Sequence, residues 1–128
     1  MSDNTAPSSS TVKRLEEEGE VGADYLEELL DIADLGGDID IDIDHGRASI
    51  AVVASEEGDA RELADLVGRD GEVLEALQEL TRLAVQARTG NRSRLMLDIN
   101  GYRVARRTEL AKIAQEAVKR VLATGETV

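Results

Sequence analysis

The chain has 128 residues, a formal net charge of −12, no Cys, Phe or Trp, and two Tyr. A chain of this length builds one domain around a single core, and without large aromatics that core must come from Leu, Ile, Val and Ala. The absence of cysteine excludes disulfides and thiolate metal sites. No apolar run approaches the ~20 residues that span a bilayer, and the N-terminus lacks the apolar stretch of a signal peptide, so a cytoplasmic protein is expected.

The charge is unevenly spread. Residues 1–59 carry 17 acidic side chains against 3 basic ones, whereas residues 60–128 carry 10 against 12. All the net acidity precedes residue 60, and the mean charge therefore does not argue against a polyanionic partner for the second half.

Residues 1–22 contain Ser8-Ser9-Ser10, the sole proline Pro7 and the run Glu16-Glu17-Glu18. They are expected to form a flexible acidic tail, with at most a marginal helix over 12–18. Leu26, Leu29, Leu30 and Ala33 then recur at helical spacing up to Gly36-Gly37, which predicts a helix over 23–35. Asp38-Ile39-Asp40-Ile41-Asp42-Ile43-Asp44 alternates strictly, a strand with isoleucines inward and aspartates outward. His45-Gly46 supplies a hairpin turn, and residues 47–54 return through Ile50, Val52 and Val53. The aspartates do not make a calcium loop. One starting at Asp38 needs Gly sixth and Glu twelfth, where Ile43 and Ser49 stand; one starting at Asp40 meets His45 and Ala51. They read as a solvated face that discourages edge pairing, and no metal or other cofactor is expected.

After a polar loop at 55–59, a short helix over 60–67 carries Leu63, Leu66 and Val67 into Gly68-Arg69-Asp70-Gly71. The helix over 72–88 is strongly amphipathic, and Val73, Leu77, Leu80, Ala84 and Ala87, joined by Leu74, Thr81 and Val85, mark its expected buried face. A basic loop, Thr89–Arg94, leads to a strand over 95–100. A last helix over 102–123 is expected to turn Leu110, Ile113, Ala114, Ala117, Val118 and Val121 inward, with Arg103, Arg106 and Arg107 in its first turns. The expected common core is Ile39, Ile41, Ile43, Ile50, Val52, Leu77, Leu80, Ala84 and Ile113. This order predicts an α+β fold, a three-stranded sheet covered on one face by helices.

The glycine pair is the candidate site. It ends one helix, turns the chain tightly and opens another helix whose first amides and positive dipole end favour a phosphate. Arg69 adds a mobile charge at the tip. A bare helix–turn–helix joint is the bland alternative. An enzyme is not expected, because the sole histidine, His45, falls in a turn and no nucleophile or carboxylate cluster accompanies it.

The element order, with Gly-x-x-Gly between the two middle helices, resembles a KH domain of type II, the prokaryotic topology. The stretch from Asp65 to Gln78, DLVGRDGEVLEALQ, and Leu97-Asp98-Ile99-Asn100-Gly101-Tyr102-Arg103 followed by Arg106-Arg107, resemble the Jag (SpoIIIJ-associated) family of bacterial RNA-binding proteins. The resemblance covers residues 23–123 and implies non-catalytic binding of single-stranded RNA, a link to cell shape and envelope growth, and pairing with a second KH protein as homo- or heterodimer. A KH loop clamps four backbone nucleotides. Gly68, Arg69, Asp70 and Gly71 would form that clamp through the amides of Arg69, Asp70 and Gly71. Arg82, Arg88, Arg92 and Arg94 would guide the backbone along an aliphatic groove, and Tyr102 reads as packing rather than as a stacking platform. Two departures from the family pattern count. Its usual second nucleic-acid-binding domain, marked by Arg-x-x-x-His, is absent from this chain, with the KH domain expected over 23–124. Asp70 also cancels the charge of Arg69, which implies weaker binding. The alternative function is a protein-interaction module, and a metal hydrolase built on Asp38–Asp44 is the least favoured.

Overall fold

A computed structural model describes residues 9–56 and 58–124. The elements are α1 (Ser9–Ile32), β1 (Asp38–Asp44), β2 (Arg47–Val53), α2 (Asp59–Val67), a single 3-10 turn at Arg69–Gly71, α3 (Glu72–Thr89), β3 (Met96–Ile99) and α4 (Tyr102–Thr124). The strands form one sheet in the order β1-β2-β3, antiparallel between β1 and β2 and parallel between β2 and β3. Parallel neighbours need a long crossover, and the α2–α3 pair supplies it. The architecture is α+β with the type II KH topology that the element order predicts.

The hairpin follows from its residues. Asp44 faces Arg47 at the end of the ladder, and His45 and Gly46 both take positive φ, 53° and 71°, the geometry whose twist matches that of the flanking strands. Asp38, Asp40, Asp42 and Asp44 are all exposed. On the opposite face, Ala48, Ile50 and Val52 of β2 and Leu97 and Ile99 of β3 meet Leu26 and Leu30 of α1, Leu63 and Val67 of α2, and Leu74, Leu77 and Val85 of α3.

Four expectations are corrected. Residues 9–22 are not part of a flexible tail: they form the first half of α1, with Leu15, Glu18, Val21 and both glycines buried. Gly19 and Gly22 do not break this helix; they bring it close to the sheet. A Cβ at Gly22 would stand 2.7 Å from Ile50 Cδ1, and one at Gly19 2.6 Å from Ile41 Cγ2. The Glu16–Glu18 run hid a stripe through Leu15, Gly19, Gly22 and Leu26, the spacing of a buried helix face. Residues 1–8 of the expected tail lie outside the described residues.

The remaining corrections concern the core. Ile41 is 44% exposed, because β1 is an edge strand and only α1 reaches over it. In α3 the apolar residues divide into two stripes. Leu74, Leu77, Gln78, Thr81 and Val85 are buried, whereas Val73, Leu83 and Leu80, the last 49% exposed, face outward. Thr81 tolerates burial because its hydroxyl donates to the Leu77 carbonyl oxygen at 2.7 Å. Finally, α4 has no buried residue; Ile113, expected in the core, is 54% exposed. The inner sheet face is already filled by α1 and α3, and α4 packs chiefly on β3. Of the nine expected core residues, Ile50, Val52 and Leu77 are buried, and Ile39 packs at the margin.

Candidate nucleic-acid interface

The loop between α2 and α3 is built by local constraints. Helix α2 closes with the Gly68 amide donating to the Ala64 carbonyl at 3.1 Å. Gly68 then adopts φ 74°, ψ −174°, a region essentially restricted to glycine. Asp70 lies at φ 54°, ψ 25°, the left-handed conformation that Asp and Asn tolerate best among side-chain-bearing residues. Gly71 follows at φ 79°. Both glycines are also sites of close approach. A Cβ on Gly68 would overlap the Val73 side chain and lie 3.0 Å from its backbone nitrogen, and one on Gly71 would stand 2.8 Å from the Tyr102 ring. Tyr102 is therefore a packing residue under the loop.

The 3-10 turn uses two of the amides. Gly71 N–H donates to the Gly68 oxygen at 3.5 Å, and Glu72 N–H donates to the Arg69 oxygen. Of the three amides expected to face a phosphate, that of Gly71 is engaged within the turn, while those of Arg69 and Asp70 precede its hydrogen bonds. Both side chains are exposed. Glu72 and Glu75 occupy the first turn of α3, where carboxylates suit the helix dipole but compete with an incoming anion. Glu75 is neutralised by Arg103, whose Nη1 lies 2.7 Å from Glu75 Oε1.

Arg103 belongs to a network that the sequence reading missed. Its Nε donates to the Leu97 oxygen at 2.7 Å and its Nη2 to Gln78 Oε1 at 3.1 Å. Gln78 Oε1 also accepts the Leu97 amide at 3.0 Å. Asp98 Oδ1 accepts the Arg103 amide at 3.0 Å. Together these bonds tie the start of α4 to α3 and β3, directly behind the loop. A second missed element is Glu18. Its buried carboxylate accepts from the Ser93 hydroxyl at 2.6 Å, and the same Ser93 oxygen accepts the Leu95 amide. The only available sequence signal for either was a polar residue inside an apolar stripe.

The eight candidate residues do not form one cluster. Gly68, Arg69, Asp70 and Gly71 are at the N-terminus of α3, whereas Arg88 is sixteen residues along the helix, about 24 Å away at 1.5 Å per residue. Arg92 and Arg94 follow in the loop beyond and are exposed. Arg82 is largely committed to the protein: Nε donates to the Leu95 oxygen at 2.8 Å, Nη1 meets Glu79 at 3.2 Å, and Nη2 reaches the Arg94 oxygen at 3.5 Å. It shapes the Arg92–Arg94 loop. An open groove lined by Leu83, Gln86, Arg82, Arg92 and Arg94 lies there. The outward stripe Val73, Leu80, Leu83 runs along α3 from the glycine loop toward this groove.

Fold and loop together define a KH domain of type II topology with an intact Gly-x-x-Gly turn. No family model matches the chain. It is 30% identical over 105 residues to the RNA-binding protein KhpB of Lactiplantibacillus plantarum, a match covering 82% of this chain and 31% of that protein. It is 25% identical over 122 residues to the RNA-binding protein KhpB of Clostridium symbiosum, covering 95% of this chain and 53% of that protein. The chain thus spans about a third and about half the length of these curated relatives, and it is Jag/KhpB-like along most of its own length. No helix among the described residues is long and apolar enough to cross a membrane, and no group of three or more His, Cys, Asp or Glu among them is placed to hold a metal ion.

Proposed function

We propose that this chain binds single-stranded RNA without catalysis, as a bacterial cytoplasmic RNA-binding protein, through the Gly68–Gly71 loop and the face of α3 beside it. The observation that carries the reading is the loop conformation. Three positive-φ residues, Gly68, Asp70 and Gly71, leave the Arg69 and Asp70 amides ahead of a helix N-terminus, where backbone N–H groups and the dipole favour a phosphate. The names of both relatives, RNA-binding protein KhpB, support the same class of ligand. In this reading the backbone enters at Arg69 and the bases lie against Val73 and Leu80, aliphatic because no aromatic side chain is available for stacking. Arg92 and Arg94 take later phosphates, Arg88 flanks them, and Arg82 holds their loop in place. The other partner implied by the Jag resemblance, a second KH protein, is compatible with this site because RNA would occupy only one face of α3.

The test is amide chemical-shift mapping with a pool of short single-stranded RNAs. The expected result is a contiguous set of shifts at 68–74, 80–83 and 92–94 that fades as salt rises, the mark of phosphate contact. Shifts absent from 68–74, with binding intact elsewhere, would assign the loop a purely structural role.

A further inference from the structure

Glu18 is a buried charge that packing does not account for. Only 3% of it is exposed, and it interrupts the stripe that α1 lays on the sheet between Leu15 and Gly22. Its one ion pair among the described residues is with Arg14, at 3.7 Å, and the Arg14 side chain is itself largely exposed. Burying a carboxylate against so loose a cation is costly, and a well-packed apolar side chain of similar size is often neutral or stabilising in its place. What leucine could not supply there is an acceptor for the Ser93 hydroxyl, which donates to Glu18 Oε1 at 2.6 Å from 75 residues away in the chain. That is the length of a strong, charge-assisted hydrogen bond.

This bond sets the conformation of the basic loop before β3. With its proton committed to Glu18, the Ser93 hydroxyl turns a lone pair to the Leu95 amide, 3.2 Å away. The Leu95 carbonyl is held from the other side by Arg82 Nε at 2.8 Å, and Arg82 Nη2 reaches the Arg94 oxygen at 3.5 Å. The start of the loop is closed by Thr89, whose hydroxyl donates to the Val85 oxygen at 2.9 Å and accepts the Asn91 amide at 3.2 Å. Burial then alternates as in an extended chain: Ser93 and Leu95 are buried, Arg92 and Arg94 exposed. The two arginines therefore leave the loop on the same, outward side.

We propose that Glu18 is a positioning residue for RNA: through Ser93 it fixes Arg92 and Arg94 where the strand leaving the glycine loop meets them. The inference rests on the RNA-binding function proposed above. The loop is ordered before the ligand arrives, so binding does not bear the entropy of arranging it. The consequence runs against simple electrostatics. Removing a negative charge from a chain of net charge −12 should favour a polyanion, whereas loss of Glu18 should weaken its binding. The weakening should fall only on strands long enough to reach Arg92 and Arg94. The Gly68–Gly71 loop, at the other end of α3, clamps its own segment of about four nucleotides without them.

The experiment compares the 128-residue chain with its Glu18→Leu and Glu18→Gln variants. Fluorescence anisotropy is read with two labelled single-stranded RNAs, one of about four nucleotides and one of about ten. The unaltered chain is expected to bind the longer strand more tightly. Glu18→Leu is expected to keep the melting temperature and the affinity for the short strand, to weaken the longer one about fivefold, and to speed hydrogen exchange at the Leu95 amide. Glu18→Gln keeps an oxygen for the Ser93 hydroxyl and is expected to bind the longer strand as the unaltered chain does. In a chain that already carries Arg92→Gln and Arg94→Gln, Glu18→Leu is expected to change RNA affinity no further. Should Glu18→Leu unfold, Ser93→Ala carries the same comparison, since it cuts the same bond from the loop side. A folded variant that binds the longer strand as tightly as the unaltered chain, or more tightly, overturns the positioning role, and so does equal weakening of both strands; in either case the RNA-binding function stands. If the unaltered chain binds neither strand, that function fails and the inference with it.

Discussion

Asp70 offers the sharpest test of the loop, because two of its properties can be changed separately. Its carboxylate stands beside the amides proposed to meet a phosphate, and its backbone sits at φ 54°. Asp70→Asn removes the charge and keeps a residue that tolerates this conformation. Two unit charges in contact at about 4 Å in water interact by about 1 kcal/mol, so removing the repulsion should tighten RNA binding about fivefold, with no change in melting temperature. Asp70→Lys adds a cation and should tighten binding further. If it gains one single-strand phosphate contact, the log–log salt slope steepens by about 0.7. Lys pays for its left-handed backbone with a stability loss of about 1–2 kcal/mol, readable by urea denaturation. Arg69→Asp should abolish measurable binding while the domain stays folded. Fluorescence anisotropy with a labelled short RNA, repeated over several salt concentrations, measures all three. If Asp70→Asn and Arg69→Asp both leave affinity unchanged in a protein that binds RNA, the loop is not the clamp.

Leu15→Ala should destabilise the domain by about 2–5 kcal/mol, because Leu15 is buried in α1; a change near zero in urea denaturation would return residues 9–22 to the status of a tail. Gly71→Ala should lower stability and RNA affinity together, since a Cβ there strains a positive φ and presses on the Tyr102 ring; unchanged melting and affinity would disprove that packing. Arg103→Ala leaves the Gln78 and Glu75 oxygens and the Leu97 carbonyl short of donors and should cost about 1–3 kcal/mol, whereas Arg107→Ala, on the exposed side of α4, should change melting little. Equal effects of the two would deny the network a role in stability.

The hairpin and the glycine loop were legible because their determinants are local. Strict alternation from Asp38 to Asp44 admits one strand orientation, and a Gly-x-x-Gly between two apolar helical segments admits few backbones. The buried side of α3 was not legible. Apolar residues at 73, 74, 77, 80, 83, 84 and 85 spread over more than half the helix circumference, and composition cannot say which half meets the sheet. Gln78 decides it: its side chain is buried to hold the Leu97 amide and Arg103, a task visible only once β3 lies alongside. The internal bonds of Arg82 were hidden for the same reason. Its charge suggests a phosphate ligand, while its partners within the fold, besides Glu79, are backbone oxygens twelve and thirteen residues away. The tail expectation failed because charge density outweighed a sparse stripe of small residues, which is what a helix pressed close to a sheet requires.

The acidic ladder of β1 acts weakly at the proposed RNA face for a geometric reason. The sheet order β1-β2-β3 places Ile39 opposite Val52, and Val52 opposite Ile99. The acidic ladder of β1 therefore lies two strand spacings, about 10 Å, from β3. The chain leaving β3 reaches Tyr102, whose ring touches Gly71. The separation from aspartates to loop is thus at least comparable to the Debye length, about 8 Å at physiological ionic strength and about 30 Å at 0.01 M. Repulsion by Asp38 and Asp40 should be felt in dilute buffer and largely screened in the cell, while Asp70, inside the loop, acts at any salt. Asp38→Asn with Asp40→Asn should accordingly raise RNA affinity at low salt and leave it unchanged at physiological salt. Asp70→Asn should keep most of its effect under both conditions. An equal, salt-independent gain from the β1 pair would mean that RNA crosses the aspartate face itself, and the proposed path along α3 would be wrong.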